Sequence, residues 1–186
     1  SWNRVSGGEK IKKLTDQLLS NFDYKKPYNN INSLIQIYKE LLTLKNSHWR
    51  DLKKNELIEI IKNCLGLRLY FNSSFPFGVA GNNLLTKLEV INPSPLKINL
   101  ETVKGSIKIN VNSRLETNQS WTRNERLIIP DNISTPYWLL EKGSLGNYKV
   151  SNADLKGLPE TPNPIKVIFN LTIEGTTIPM RVPLTL

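Results

Sequence analysis

The chain has 186 residues, of which 39% are apolar and 22% charged, and its formal net charge is +9, from 25 Lys and Arg against 16 Asp and Glu. This balance is typical of globular proteins and excludes disordered and collagen-like chains. A compact fold of this length buries roughly 70% of the surface that the unfolded chain exposes, which suffices for a core without disulfides. The sequence therefore predicts one ordinary domain or two small ones.

The positive charge is concentrated at the start of the chain. Residues 1–68 carry 13 basic and 7 acidic side chains (13 − 7 = +6), whereas residues 69–186 carry 12 and 9 (12 − 9 = +3). The lysines are scattered among Asn, Asp and Glu and never exceed two in succession. A nucleic-acid surface needs a basic stripe with interleaved aromatic residues or a known module. We therefore expect solvated helix faces and no nucleic-acid partner.

Three amphipathic helices are predicted in the first 68 residues, at positions 8–21, 31–44 and 47–66. Apolar residues recur there at intervals of three and four, which places them along one face of a helix. Ser47 has the chemistry of an N-cap, and Gly66 is placed to end the third helix. The residues expected on the apolar stripes are Ile11, Leu14, Leu18, Leu19, Leu34, Ile35, Tyr38, Leu41, Leu42, Trp49, Leu52, Leu57, Ile60, Ile61 and Cys64.

After Arg68 the apolar period changes from helical to alternating, which is typical of strands with one buried face. Strands are predicted at residues 85–91, 96–103, 107–111, 126–129, 165–173 and 178–182, with turns at 92–95, 104–106 and 174–176. Residues 134–164 are rich in Gly, Pro and aromatics and are expected to form a long connection between sheets.

The predicted fold class is α+β. A short three-helix layer over residues 1–68 is followed by an immunoglobulin-like or fibronectin-like antiparallel β-sandwich over residues 69–186. A helical layer of about 60 residues is marginal by itself. We therefore expect it to dock on the sheets.

The sequence has no run of about 20 apolar residues that could span a membrane, and no membrane insertion is expected. It opens Ser1-Trp2-Asn3-Arg4, without an initiating Met or the apolar region of a signal peptide. From this opening we expect the chain to be a segment of a larger protein.

Residues that could carry chemistry are few. His48 is the one histidine and Cys64 the one cysteine, whereas zinc sites and His-dependent triads need several such groups. We expect His48 to be a cap or packing residue and Cys64 a buried thiol. No catalytic residue, metal ligand or cofactor is predicted in this chain. A paired-carboxylate hydrolase stays open as an alternative, with candidates Asp131, Glu141, Asp154 and Glu160.

Aromatic residues are concentrated in the later half of the chain. Trp121, Tyr137 and Trp138, with Tyr148 nearby in sequence, could stack on the apolar face of a sugar ring. The same residue types also close the edges of sandwich cores, with one polar atom bonded to the backbone. Trp121, Tyr137 and Trp138 are therefore candidate glycan-binding residues, with a core role as the alternative.

Several short stretches resemble a known family: the region that follows the catalytic domain in large LmbE/PIG-L-type deacetylases of Bacteroidetes-like bacteria. The stretches are residues 1–8, Asn21-Phe22-Asp23, Trp49, residues 63–67, residues 135–139, Gly146, Tyr148 and residues 155–160. They are spread over nearly the whole chain, and none is a catalytic signature.

The resemblance implies a parent protein with a zinc-dependent N-deacetylase domain that acts on N-acetylglucosamine-type groups. The family's His-Pro-Asp-Asp motif has no counterpart here, so no catalytic or metal residue is carried over, and zinc is expected in the separate catalytic domain. The implied role is a non-catalytic accessory region with that domain as its partner, exported or periplasmic in bacteria. A carbohydrate-binding module is the alternative function.

Overall fold

A computed structural model describes residues 2–45, 47–131 and 135–185. The expectations that involve Ser1 and Ser134 therefore lie partly outside the described residues. The described part contains the α-helices α1 (Gly8–Ser20), α2 (Ile31–Thr43) and α3 (His48–Leu65), then β1 (Arg68–Ser73), β2 (Asn83–Ile91), β3 (Ile98–Gly105), β4 (Ile109–Leu115), β5 (Ser120–Ile128), β6 (Lys166–Ile173) and β7 (Thr176–Pro183). None of the described helices is long and apolar enough to cross a membrane. The predicted α+β class is confirmed.

The helices follow the predicted pattern most closely in α2. Leu34, Ile35, Tyr38 and Leu41 are buried, and the opposite face of the helix is solvated. On α1, Ile11 is fully buried and Leu14 and Leu18 pack partly against the same cluster. The predicted stripes are wrong at Leu19 and Leu42, whose side chains are exposed.

Both predicted ends of α3 are confirmed. The hydroxyl of Ser47 accepts a hydrogen bond from the backbone N–H of Arg50, at 3.2 Å. Gly66 has a left-handed φ of 65°, and the N–H groups of Gly66 and Leu67 bond to the carbonyls of Asn63 and Lys62. This pair of bonds is a Schellman motif, which satisfies carbonyls left free at a helix end.

The apolar residues of α3 divide into two stripes. Leu57, Ile61 and Leu65, together with Ile58, are buried. Trp49, Leu52 and Ile60 lie on an exposed side instead, and Cys64 is only half-buried. The prediction of one buried stripe on α3 is therefore wrong for Trp49, Leu52 and Ile60, whereas Cys64 packs partly against the hydrophobic cluster.

The strands form two antiparallel sheets. One has the order β1-β2-β5 and the other β4-β3-β6-β7. Alternate residues are buried on β2 and on β6, so each sheet has one buried face, and both faces contribute to the same hydrophobic cluster. A register shift between Leu100 and Thr102 interrupts β3 on both of its sides.

The sequence did not predict strand β1 or most of strand β5, both of which are present in the structure. On β1 only Phe71 is fully buried, so the alternation is too weak to identify the strand. The first part of β5 is polar because this strand lies at a sheet edge, where the partly exposed pair Arg123 and Glu125 forms a salt bridge.

Backbone contacts outside the strand ladders link β1 to the segment after β7 and link two connections to each other. The N–H of Ser73 donates to the carbonyl of Thr185, and the N–H of Thr185 donates to that of Phe71. Between the β2–β3 and β4–β5 connections, the N–H of Asn118 donates to the carbonyl of Asn92, whose buried side chain also bonds to the Ser94 hydroxyl. The buried polar groups in this turn therefore have partners.

The helical layer passes into the sheets without a linker. Leu65 ends α3 and Arg68 begins β1, and the intervening Leu67 is buried with Leu65. The buried residues of the helices and of both sheets belong to one hydrophobic cluster. The helical layer thus shares its core with the sheets, as expected from its small size.

We predict that Gly66→Ala destabilises the protein more than Gly157→Ala does. Both glycines have a left-handed φ, which costs a residue with a Cβ about 1–2 kcal/mol. At Gly66 the added Cβ would also lie 3.0 Å from Cγ of Pro93, whereas at Gly157 it would meet nothing within 4 Å. Urea unfolding, followed by circular dichroism, measures both costs. Equal losses in the free energy of unfolding would mean that the contact with Pro93 does not constrain the connection between α3 and β1.

Candidate binding surfaces

The long connection between β5 and β6 is built around Tyr137. Its side chain is buried, its hydroxyl donates to the carbonyl of Leu158 at 3.0 Å, and its backbone N–H donates to the Thr161 hydroxyl at 2.8 Å. These bonds join the start of the described connection to its last part. Tyr137 therefore serves as an anchor for the connection.

Glu141 closes a second loop within the same connection. Its carboxylate accepts hydrogen bonds from the backbone N–H and from the hydroxyl of Ser151, each at 2.7 Å, and Lys149 lies 3.8 Å away. The bonds from Ser151 stabilise the charged form and lower the pKa of Glu141 below its ordinary value. Between these residues, Ser144 and Asn147 form a tight antiparallel turn.

These anchors build an open cleft, which we call the aromatic cleft. It has a volume of about 320 Å³ and is lined by Tyr137, Trp138, Tyr148, Val150, Lys156 and Gly157. The rings of Tyr137 and Trp138 meet edge to face, with centroids 5.0 Å apart. Trp138 is half-buried, and Tyr148 is 70% exposed. Two partly free rings beside a lysine can stack on a ring ligand and bond to its polar groups.

Trp121 is not among the residues that line the aromatic cleft. It lies on β5 opposite Val90, which is fully buried, and opposed residues of an antiparallel pair point to the same face. Trp121 is accordingly half-buried against the hydrophobic cluster. Of the predicted ligand-binding set, the structure brings Tyr137 and Trp138 together, with Tyr137 as support for the ring of Trp138.

A second surface, which we call the helical groove, lies on the helical layer. It has a volume of about 450 Å³ and is lined by Trp2, Arg4, Val5, Trp49 and Lys53. Trp49 is 65% exposed, and its ring meets the imidazole of His48 edge to face. The groove is thus apolar, with two basic side chains at its rim.

The remaining candidate residues do not form a reactive group in the described chain. His48 is exposed, and the Ser47 hydroxyl caps α3 in its place. Burial raises the pKa of the Cys64 thiol, which disfavours the reactive thiolate. Within residues 2–45, 47–131 and 135–185, no three His, Cys, Asp or Glu side chains are grouped so that they could hold a metal ion.

The four acids of the hydrolase alternative all lie in loops or short turns, and Glu160 is exposed. Asp131 is beside Gly81 at the end of β5, and Asp154 belongs to a short 3₁₀ turn at Ala153–Leu155. Glu141 is bonded to Ser151, and its lowered pKa is opposite to the raised pKa that a general acid needs.

Two features of these surfaces escaped the sequence analysis. The helical groove was missed because Trp49 and Leu52 were assigned to the buried stripe of α3. Leu57, Ile61 and Leu65 recur at intervals of four, and Trp49 and Leu52 do not fall in that series. This difference in helical position is a signal that could have separated the exposed stripe from the buried one. No periodic signal in the sequence predicts that Tyr148 and Lys156 line the same cleft as Trp138, because all three lie in an irregular connection.

Comparison with known proteins identifies no family. No protein-family model and no curated protein matches the sequence. Among solved structures, the chain is similar to the Pseudomonas fluorescens alkylpurine DNA glycosylase AlkC bound to DNA containing an abasic site analog. The identity is 8%, the TM-score is 0.28, and the match covers 92% of this chain and 50% of that one. The chain therefore spans half the length of that glycosylase, and so distant a likeness carries no functional argument.

We predict that acid weakens the hydrogen bonds that the Glu141 carboxylate accepts from Ser151. The pKa of Glu141 in the folded protein lies below the ordinary 4.5. The stabilisation that the charged carboxylate provides is therefore fully present above pH 4.5 and is lost as pH falls through the lowered pKa. The Ser151 amide resonance in ¹⁵N-correlated spectra should therefore titrate with an apparent pKa below 4.5. Glu141→Gln should remove this titration, and a midpoint at or above the ordinary value would contradict the hydrogen-bonded geometry.

Proposed function

We propose that this chain is a non-catalytic accessory region that binds a partner domain through the helical groove. The observation that carries the proposal is the exposure of Trp49 in an apolar groove whose helix continues directly into the sheets. Tryptophan and arginine are enriched among residues that dominate binding energy at interfaces. The groove offers both, with Trp2 and Trp49 inside it and Arg4 at its rim.

The partner is the catalytic domain of a zinc-dependent N-acetylglucosamine-type deacetylase in the same parent chain. The resemblance to LmbE/PIG-L-type proteins motivates this choice. Trp2, Arg4 and Val5 line the groove, so a domain joined ahead of them would be held next to it at high effective concentration. Arg4 and Lys53 line the groove, and Lys53 also pairs with Glu56 at 2.7 Å. The basic groove, in a segment of net charge +6 (13 − 7), favours an acidic surface on that partner.

In this proposal the two antiparallel sheets are an immunoglobulin-like or fibronectin-like sandwich that serves as scaffold. The alternating burial on β2 and β6 and the shared hydrophobic cluster support it. Zinc and the deacetylation chemistry belong to the partner domain, and this chain contributes binding and positioning.

The test is coexpression of this chain with the catalytic domain of its parent, followed by affinity capture and a deacetylase assay. We expect stable association with altered activity, and a loss of affinity of roughly tenfold or more on Trp49→Ser, by the usual cost of truncating an interface hot spot. Leu19→Ser is the matched control, because Leu19 is equally exposed at 65% but does not line the groove. Association that survives Trp49→Ser, or no association at all, would refute the proposal.

A second candidate function is glycan binding at the aromatic cleft. The observation that favours it is that the exposed Tyr148 lines the same cleft as Trp138, whose ring is held edge to face against that of Tyr137. Such rings can stack on the apolar faces of sugars, and Lys156 can donate hydrogen bonds to their hydroxyl groups.

Titration with N-acetylglucosamine oligomers, followed by tryptophan fluorescence and calorimetry, tests the second function. Tyr148→Ala and Trp138→Ala should each weaken binding by about tenfold or more, using the energy of stacked aromatic contacts. Trp121→Phe should leave the affinity unchanged, because Trp121 does not line the cleft. Absence of binding to any oligomer would exclude this function for these ligands.

A further inference from the structure

An exposed apolar cluster lies at one end of the three-stranded sheet, away from the surfaces described so far. The loop between β1 and β2 carries Phe75, Phe77 and Val79, of which Phe77 is 70% exposed. Leu85 and Ile128, on the adjoining ends of β2 and β5, are exposed as well. We call these five residues the apolar tip. Several large apolar side chains exposed at one end of a sheet mark a candidate interaction site.

The loop that carries the apolar tip is held in place by its backbone. The Ser73 hydroxyl accepts from the N–H of Phe75 and donates to its carbonyl. Gly81 N–H donates to the carbonyl of Ile129 at 2.9 Å, and Ile129 N–H donates to that of Asn82 at 3.0 Å. The phenyl rings are therefore exposed on an ordered loop that is attached to the end of β5.

Charge follows the apolar residues along the outer face of this sheet. Leu84, Thr86 and Leu88 point to the core, so Leu85 and Lys87 point outward. Arg126 opposes Leu85, and Ile128 opposes Asn83. At about 3.4 Å per residue, Arg126 lies about 7 Å behind Ile128 along the strand.

Arg126 therefore lies level with Leu85 and behind Ile128, and Lys87 lies two residues further along β2. Further from the tip, Glu89 is bonded to Ser120 and Lys87. Asp131 is a further acid near the loop and lies beside Gly81.

We propose that the apolar tip binds the surface of an anionic lipid bilayer. Phe75, Phe77 and Val79 enter the boundary between headgroups and acyl chains, while Arg126 and Lys87 reach the lipid phosphates. Interfacial segments bury apolar groups by about 5–10 Å, which is comparable to the distance of about 7 Å between Ile128 and Arg126 along β5. Basic residues near the surface add attraction to anionic lipids. The proposal goes beyond the accessory function and does not depend on it.

Charge also favours a bilayer over a second copy of the chain as the occupant. A two-fold contact places the same surface of each copy against the other. The basic residues behind the tip would then approach those of the other copy, and like charges in an interface are unfavourable. An anionic lipid surface complements the same arrangement.

The experiment is cosedimentation of the full chain with vesicles of phosphatidylcholine alone, or of phosphatidylcholine and phosphatidylglycerol in equal parts. We expect binding to the anionic vesicles that weakens with added salt. Phe77→Ser should lower the partition coefficient roughly tenfold to a hundredfold, from the lost burial of one phenyl ring. Lys87→Gln with Arg126→Gln should remove the preference for the anionic vesicles.

Leu145→Ser is the matched control, since Leu145 is fully exposed in another segment, and it should bind as the unchanged chain does. Circular dichroism of each variant verifies that it is folded. No binding to either vesicle, or equal binding by the Phe77→Ser variant, would overturn the proposal. A dimer in analytical ultracentrifugation that Phe77→Ser dissociates, without vesicle binding, would assign the tip to self-association instead.

Discussion

The structure depends on the direct connection between α3 and β1. The helix ends at Leu65, Gly66 reverses the backbone in a left-handed conformation, and Leu67 is buried before the strand begins. Two residues without a flexible linker leave little freedom for the helices to turn relative to the sheets. A helical layer too small for a core of its own is thereby kept in contact with the large core of the sheets.

This constraint bears on each of the proposed surfaces. The helical groove, the aromatic cleft and the apolar tip lie on different elements: the helices, the connection between β5 and β6, and the end of the β1-β2-β5 sheet. Each is anchored to the shared core or to a strand end. A partner that binds one of them therefore binds a surface whose backbone is already ordered, which reduces the entropy lost on association.

The physical character of the three surfaces differs, and with it the partner that each would take. The groove combines tryptophan with a basic rim, which suits an acidic protein surface. The cleft presents two rings and a lysine, which suits a sugar. The tip presents phenylalanine without tryptophan or an enclosing wall, followed by cations, which suits a lipid interface.

Sequence periodicity could predict those elements whose burial is one-sided. The sequence predicted the buried stripe on α2, the N-cap at Ser47 and the end of α3 at Gly66, because each depends on local chemistry. It failed at β1 and at the start of β5, where an edge position lets polar residues occupy the strand. It also failed for Trp49, because the exposed and the buried stripes of α3 both have helical spacing and only the offset between them separates the two.

The candidate site was predictable only in part for a similar reason. Tyr137 and Trp138 are neighbours in sequence, so their proximity needed no fold. Tyr148 and Lys156 reach them only through the bonds of Tyr137 and Glu141 within the connection. Trp121 was indistinguishable from them by residue type, and only the strand register assigns it to the core face.

Native-state hydrogen exchange at low denaturant tests most directly whether the helices and sheets are one cooperative unit. The slowest amides of α2, around Leu34 and Leu41, should have the same opening free energy as those of β6, around Phe169 and Leu171, to within about 1 kcal/mol. That result would establish that the shared core holds both parts together. Opening of α2 several kcal/mol below that of β6 would mean that the helices unfold separately, and would contradict the account.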